Sequence, residues 1–198
     1  MIRGIDVSHY QGVIDWPHVR ASGVGFALLK ATQGATGTDP TFHRNLDGCR
    51  ATGIIPGAYH FFTPTQDARA QADHFLATIG DPAGILLALD CEDGGTLKGS
   101  DYCESAIVWL SVVGTAAGRK PLVYCSPSFA DERGLGRFLN GFPLWIASYR
   151  MRPKMPAGWQ GWAIWQYSSG GRVNGIEGDV DMDRFNGDCV ALNAIVGR

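Results

Sequence analysis

The stretch Gly84-Ile85-Leu86-Leu87-Ala88-Leu89-Asp90-Cys91-Glu92-Asp93 decides how the rest of this chain is read. A continuous apolar run is what a parallel strand buried on both faces looks like, and this one ends abruptly in carboxylates. In α/β enzymes the chemistry sits at the carboxyl ends of such strands. Strand side chains alternate, so Asp90 and Glu92 share a face, with Cα atoms roughly 6.6 Å apart at about 3.3 Å per residue. Both carboxyl groups then reach one small substrate centre, the layout of a general acid beside a second carboxylate. A strand that merely ends in a solvated loop has the same short pattern, and the remaining chain has to separate the two.

Working outward, short apolar runs recur with helical patterns between them, which marks βαβ units. Strands are expected near residues 2–7, 25–31, 54–61, 85–90, 122–125, 144–147, 163–166 and 180–181. Helices fit residues 15–21, 39–51, 66–79, 100–117 and 127–135, all in the first two-thirds. Asp39-Pro40 reads as an N-cap followed by proline at the first helical position. Gly53 and Gly118 read as left-handed C-terminal caps. After residue 140 the pattern changes to short aromatic strands joined by Gly- and Pro-rich loops. Eight strands whose helices fade out predict an α/β fold, an irregular TIM-like barrel, in one domain over residues 1–198.

In a barrel the strand carboxyl ends form one rim. The residues expected there are Asp6, Lys30 or Thr32, Tyr59 with His60, Asp90 with Glu92, Tyr124, Trp145, Gln166 and Asp181. Acids and aromatics side by side suit a sugar site better than an ordinary set of polar strand ends.

Composition narrows the function classes. With 45% hydrophobic and 18% charged residues and a net charge of −2, nothing points to nucleic acid or an anionic membrane surface. No apolar stretch approaches the roughly 18 residues needed to span a bilayer. The N-terminus has no basic region followed by an apolar one, so the reading is cytoplasmic synthesis without a signal peptide. Cys49, Cys91, Cys103, Cys125 and Cys189 are odd in number and lack C-x-x-C spacing. They read as free, mostly buried thiols rather than a disulfide scaffold or zinc site. No metal and no cofactor is expected.

Four segments carry a family likeness: Gly4-Ile5-Asp6-Val7-Ser8-His9-Tyr10-Gln11-Gly12, residues 26–34 (FALLKATQG), Gly57-Ala58-Tyr59-His60-Phe61 and Leu89-Asp90-Cys91-Glu92. Together with residues 144–149, Ile164-Trp165-Gln166-Tyr167 and Asp179-Val180-Asp181-Met182-Asp183, they resemble glycoside hydrolase family 25, the Chalaropsis-type lysozymes or N-acetylmuramidases of bacteria, phages and fungi. The resemblance runs the length of the chain. It implies a modified barrel of five β/α units followed by three strands, and cleavage of the β-1,4 bond between N-acetylmuramic acid and N-acetylglucosamine in peptidoglycan. It also suggests a single-domain phage or bacterial endolysin that acts as a monomer on glycan strands, without a separate wall-binding domain, and reaches the wall through a holin-like pore or non-classical delivery.

The family's acidic set falls on Asp6, Asp90, Glu92 and Asp181. Glu92 is the expected general acid, because clustered carboxylates raise one another's pKa. Asp90 either attacks the anomeric carbon or steers the substrate's own acetamido group. Asp6 and Asp181, from strands that become neighbours when a barrel closes, flank the pair. Tyr59, Tyr124, Trp145 and Gln166 are the expected sugar contacts. His9 and His60 are read as supports for neighbouring acids. Cys91, between the two carboxylates, should point away from the cleft. Two other classes compete: a catalytically silent glycan-binding module on the same barrel, and a cysteine hydrolase using Cys125. The intact acidic quartet argues against the first. The second lacks any histidine after Cys125.

Overall fold

Strand β1 (Ile2–Val7) pairs on one side with β2 (Phe26–Gln33) and on the other with β9 (Val180–Phe185), and this double pairing closes the sheet. The computed structural model describes residues 1–197. Around the ring β2 is followed by β4 (Ile55–Phe61), β5 (Leu86–Asp90), β6 (Leu122–Cys125), β7 (Leu144–Ala147), β8 (Ile164–Gly171) and β9. A two-residue strand, β3 (Gly37–Thr38), hairpins onto β2 outside the ring. Neighbours are parallel from β1 through β8, whereas β9 is antiparallel to both β8 and β1.

Helices α1 (Trp16–Ala21), α2 (Phe42–Thr52), α3 (Ala68–Ile79) and α4 (Gly99–Ala117) follow β1, β2, β4 and β5. The fifth unit carries two short helices, α5 (Pro127–Arg133) and α6 (Leu135–Leu139), split at Gly134 with φ 66°. The expected single helix over 127–135 is thus interrupted where only glycine adopts the backbone comfortably. Five β/α units followed by three strands is the architecture that was expected. Gly53 and Gly118 cap α2 and α4 at φ 70° and 65°.

Alternation sorts each strand into two layers. Ala27, Leu29, Ala58, Leu87, Leu89, Val123 and Ile146 face the helices. Phe26, Leu28, Leu86, Ala88, Leu122, Trp145, Ile164 and Phe185 fill the barrel. The interior is tight: a Cβ on Gly4 of β1 would lie 2.2 Å from the Phe26 ring, so only glycine lets that ring fill the barrel centre.

Four local expectations are corrected. Asp39 does not cap α2; Thr41 precedes the helix without a side-chain cap bond, and Asp39 instead accepts from the Thr41 backbone and hydroxyl. The strand expected to stop at Asp181 continues to Phe185. The strand expected over 163–166 runs on to Gly171, through a register shift after Gln166. A further helix, α7 (Cys189–Ile195), lies beyond the region where helices were expected.

Helix α7 has a structural task. Leu192, and Val196 just past the helix, are fully buried in the barrel-interior cluster, and the Gly84 N–H at the start of the β5 segment donates to Val196 O at 3.0 Å. The helix therefore plugs the mouth opposite the acids. Leu192→Ala is predicted to cost about 2–5 kcal/mol, the range for a buried leucine that leaves a cavity. Urea unfolding should show a lower midpoint at unchanged slope; an unchanged midpoint would remove the plug role.

Candidate active site

The acids reach one mouth from three directions. Asp6 is the fifth residue of β1, and Asp90 ends β5. Asp181 reaches the same rim from the amino end of β9, because β9 runs opposite to the other strands; it stands directly across from Asp6 in the β1–β9 register. Glu92 lies two residues past the end of β5, at the solvent side. Asp6, Asp90, Glu92 and Asp181 all line a cleft of about 430 Å³, with Tyr59, Lys30 and Tyr10 among the walls.

Strand β2 contributes Lys30 by the alternation that puts Phe26 and Leu28 inside the barrel, and the register shift that follows, between Lys30 and Thr32 against β4, turns Thr32 away from the cleft. Such an irregularity re-aims side chains. Lys30 faces the cleft, while Thr32 is fully buried and bonds the His60 ring at 2.6 Å. His60 also bonds Gln71 at 3.0 Å and stacks on Trp109 of α4, so it sits behind the barrel wall. Burial pushes its pKa down to about 4, and it stays neutral. His9 bonds the buried Asp39 carboxylate at 2.8 Å.

Beneath the cleft lies a bonded floor. Gln166 Nε2 donates to Asp6 Oδ2 at 2.7 Å, and Gln166 Oε1 accepts from Tyr124 at 3.1 Å and Tyr149 at 2.8 Å. Two hydroxyl donors on one side and a carboxylate on the other fix the amide's orientation. Trp145 Nε1 donates to Asp183 Oδ1 at 2.8 Å, and its ring packs against Tyr59 and Tyr124. Trp145 and Gln166 are each 2% exposed. Both were expected to touch sugar; the structure puts them under the floor, where they orient acids instead. Tyr59 lines the cleft and Tyr124 lies half-buried beside it.

Among the residues of the cleft and its floor that were not expected as site residues are Tyr10, Tyr149 and Asp183. Tyr10, 82% exposed on the cleft wall, follows β1 in a short turn held by Ser8 and Gln11. Tyr149, 56% exposed, places its hydroxyl on Gln166. Asp183 is fully buried below Asp6, and its signal was present in the sequence: it stands two residues from Asp181 on the same strand face, as Glu92 does from Asp90.

Burial and crowding raise these carboxyls. Asp6 is pushed well up by burial first, then by Asp183 and Asp181. Asp90 rises by burial and by Glu92, while Lys30 opposes the shift. Glu92 rises mainly through partial enclosure, with Asp181 and Asp93 adding and Lys30 opposing. Burial raises Asp181 as well, against a hydrogen bond from Asp6. Asp183 is pushed up to about 7 by burial, against the bond from Trp145. Its Oδ2 and the Oδ1 of Asp90 are buried with no hydrogen-bond donor. Two touching buried carboxyls cannot both ionise, so Asp6 and Asp183 hold a proton between them.

Cys91 points away from the cleft into the helix-side core, and Cys125 is buried with its thiol pushed up to about 12. Neither is placed as a nucleophile.

A family model described as Glycosyl hydrolases family 25 matches residues 5–176. The chain is 39% identical to Uncharacterized protein YegX of Escherichia coli strain K12, across 98% of this chain and 73% of that protein. It is 35% identical to Lysozyme M1 of Streptomyces globisporus, across 100% of this chain and 72% of the relative. The crystal structure of the bacterial lysozyme from Streptomyces coelicolor matches with a TM-score of 0.89 at 33% identity, covering 98% of this chain and 96% of that one.

The raised pKa of Asp183 has a stability consequence. The folded chain holds this proton more tightly than the unfolded chain does, so the contribution is fully present below the ordinary value of 3.8 and is lost as pH rises through about 7. Asp183→Asn cannot ionise. Its melting temperature is predicted to fall less than the wild type's between about pH 4 and pH 8; equal falls would contradict the shared proton.

Proposed function

This chain belongs to glycosyl hydrolase family 25 and is a lysozyme, a hydrolase of peptidoglycan; from that premise we propose that Glu92 protonates the glycosidic oxygen while Asp90 governs the anomeric carbon. The bond cleaved is the β-1,4 link between N-acetylmuramic acid and N-acetylglucosamine. Glycoside hydrolysis passes through an oxocarbenium-like state, which needs a proton donor to the leaving oxygen and negative charge near C1. Glu92 and Asp90 face one cleft from positions two residues apart, which is the arrangement those two tasks require.

The observation that carries the reading is that Asp90 and Glu92 line one cleft together with Asp6 and Asp181. Asp90 lies deep in it, 6% exposed, and an acetamido N–H of the substrate donates to the oxygen it turns to the cleft. Held in this way, the acetamido carbonyl oxygen attacks C1 as the C1–O bond breaks and the Glu92 proton passes to the departing sugar. Water then opens the cyclic intermediate, returning its proton to Glu92, with net retention. Binding also settles the proton. In the empty cleft Asp90 is the more buried acid and competes for it; once the acetamido N–H bonds Asp90, charge is favoured there and the proton resides on Glu92. Asp181 faces Glu92 and opposes its ionisation, while Asp6, anchored by Gln166, stands directly across from Asp181 in the strand pairing.

Glu92→Gln is predicted to lower wall-lytic turnover by roughly 10²–10⁴-fold, the scale of a lost general acid, with an unchanged melting curve. Full activity in that variant would remove Glu92 from the role. A muramyl thiazoline, which mimics the cyclic intermediate, should bind the wild type and lose affinity for Asp90→Ala; equal binding would favour direct attack by Asp90.

A further inference from the structure

A second cavity of about 480 Å³ opens beside the catalytic cleft, and the two share Lys30 and Gln33. We propose that this cavity, walled by the β2–β3 hairpin, holds the peptide stem of the muramyl residue bound in the cleft. The inference rests on the muramidase reading above and adds which part of the substrate the side cavity takes.

The wall is a built one. Gln66, in the loop after β4, accepts the Ala35 N–H at 2.7 Å and so ties that loop to the hairpin. Gly34 at φ 57° makes the approach possible, since a Cβ there would meet Gln66 Oε1 at 2.7 Å. On the opposite side the buried Asp39 uses both oxygens internally. Its Oδ2 takes the His9 backbone N–H at 2.9 Å and meets His9 Nδ1 at 2.8 Å, and its Oδ1 takes the Thr41 N–H at 2.9 Å and hydroxyl at 2.7 Å. Its charge is therefore satisfied within the wall. The cavity is left with the rest of the His9 ring, the Lys30 ammonium, side-chain amides, threonine hydroxyls and one carboxylate, Asp93, whose Oδ1 takes the Gly95 N–H at 2.9 Å.

Chemistry separates a peptide from another sugar. The apolar face of a pyranose packs on an aromatic ring, and the catalytic cleft provides Tyr10, Tyr59 and Phe61. No Phe, Tyr or Trp lines the side cavity. Amide groups and donors suit a chain of peptide bonds that carries carboxylates. Position agrees, because the lactyl group that bears the stem is attached at C3 of the muramyl ring. A stem therefore leaves the sugar close to the reacting carbon and has to exit sideways, and the boundary shared by Lys30 and Gln33 is such an exit.

The test compares kcat/KM on soluble glycan strands of equal length, with their stems intact or stripped by an amidase. The wild type should favour intact strands by roughly tenfold, the effect of one good polar contact set. Thr36→Trp, an exposed hairpin position that would fill the cavity, should bring the ratio to near one, while Thr36→Ser keeps it. A wild-type ratio of one, or a ratio preserved in Thr36→Trp, overturns the proposal. So does a Thr36→Trp variant that melts normally yet loses both substrates alike, since the cavity would then hold sugar. Products whose new reducing end is glucosamine instead of muramic acid would overturn the muramidase reading itself, and this inference with it.

Discussion

The pairing of β9 against β1 sets Asp181 opposite Asp6 and brings Asp183 underneath, so that closing the barrel forces three carboxyls from the two ends of the chain into contact. Asp90 and Glu92 arrive from across the mouth, at the end of β5 and just beyond it. Bringing so many acids together in a partly dry space is unfavourable unless protons are retained, and retained protons are what a glycosidase needs at the leaving oxygen. The same crowding that penalises folding at higher pH thus prepares the acid. Gln166 and Trp145 make the crowding tolerable by donating to Asp6 and Asp183, and two tyrosine hydroxyls hold the Gln166 amide in place for that task.

Much of this was legible in the sequence, for reasons that can be named. The run through Leu89 could only be a buried strand, its period fixed the shared face of Asp90 and Glu92, and the loss of helices after residue 140 foretold a barrel with three plain strands. What escaped followed from features that local pattern does not carry. The direction of β9 is a property of how the ring closes, so the route by which Asp181 reaches the rim could not be read from its neighbours. The irregularity in β2 decided between Lys30 and Thr32, and no residue type announces it. Depth along a strand separates Gln166 and Trp145, which support the acids, from residues that touch solvent. Asp183 is different: the spacing from Asp181 displayed it, and strand alternation would have found it.

The site is rigid where it holds protons and open where it meets substrate. Asp6, Asp183, Gln166 and Trp145 sit in a packed interior sealed from the opposite mouth by α7. Glu92, Tyr10 and Tyr149 stand exposed above them. A polymer threading past the mouth meets exposed, wet side chains first, and in the mechanism we propose its acetamido group meets its acceptor deeper, at Asp90. Positioned acceptors in a low-dielectric pocket stabilise developing charge better than water does.

The central claim is that the acids of this mouth retain protons above the usual carboxylate range. Titrating the side-chain carboxyl carbons of isotopically labelled enzyme by NMR tests it most directly. The account predicts that Asp183 titrates near 7, that Asp6 moves together with it, and that Glu92 and Asp90 titrate as a linked pair above their ordinary values. These four carboxyls titrating independently near about 4, as exposed groups do, would contradict it.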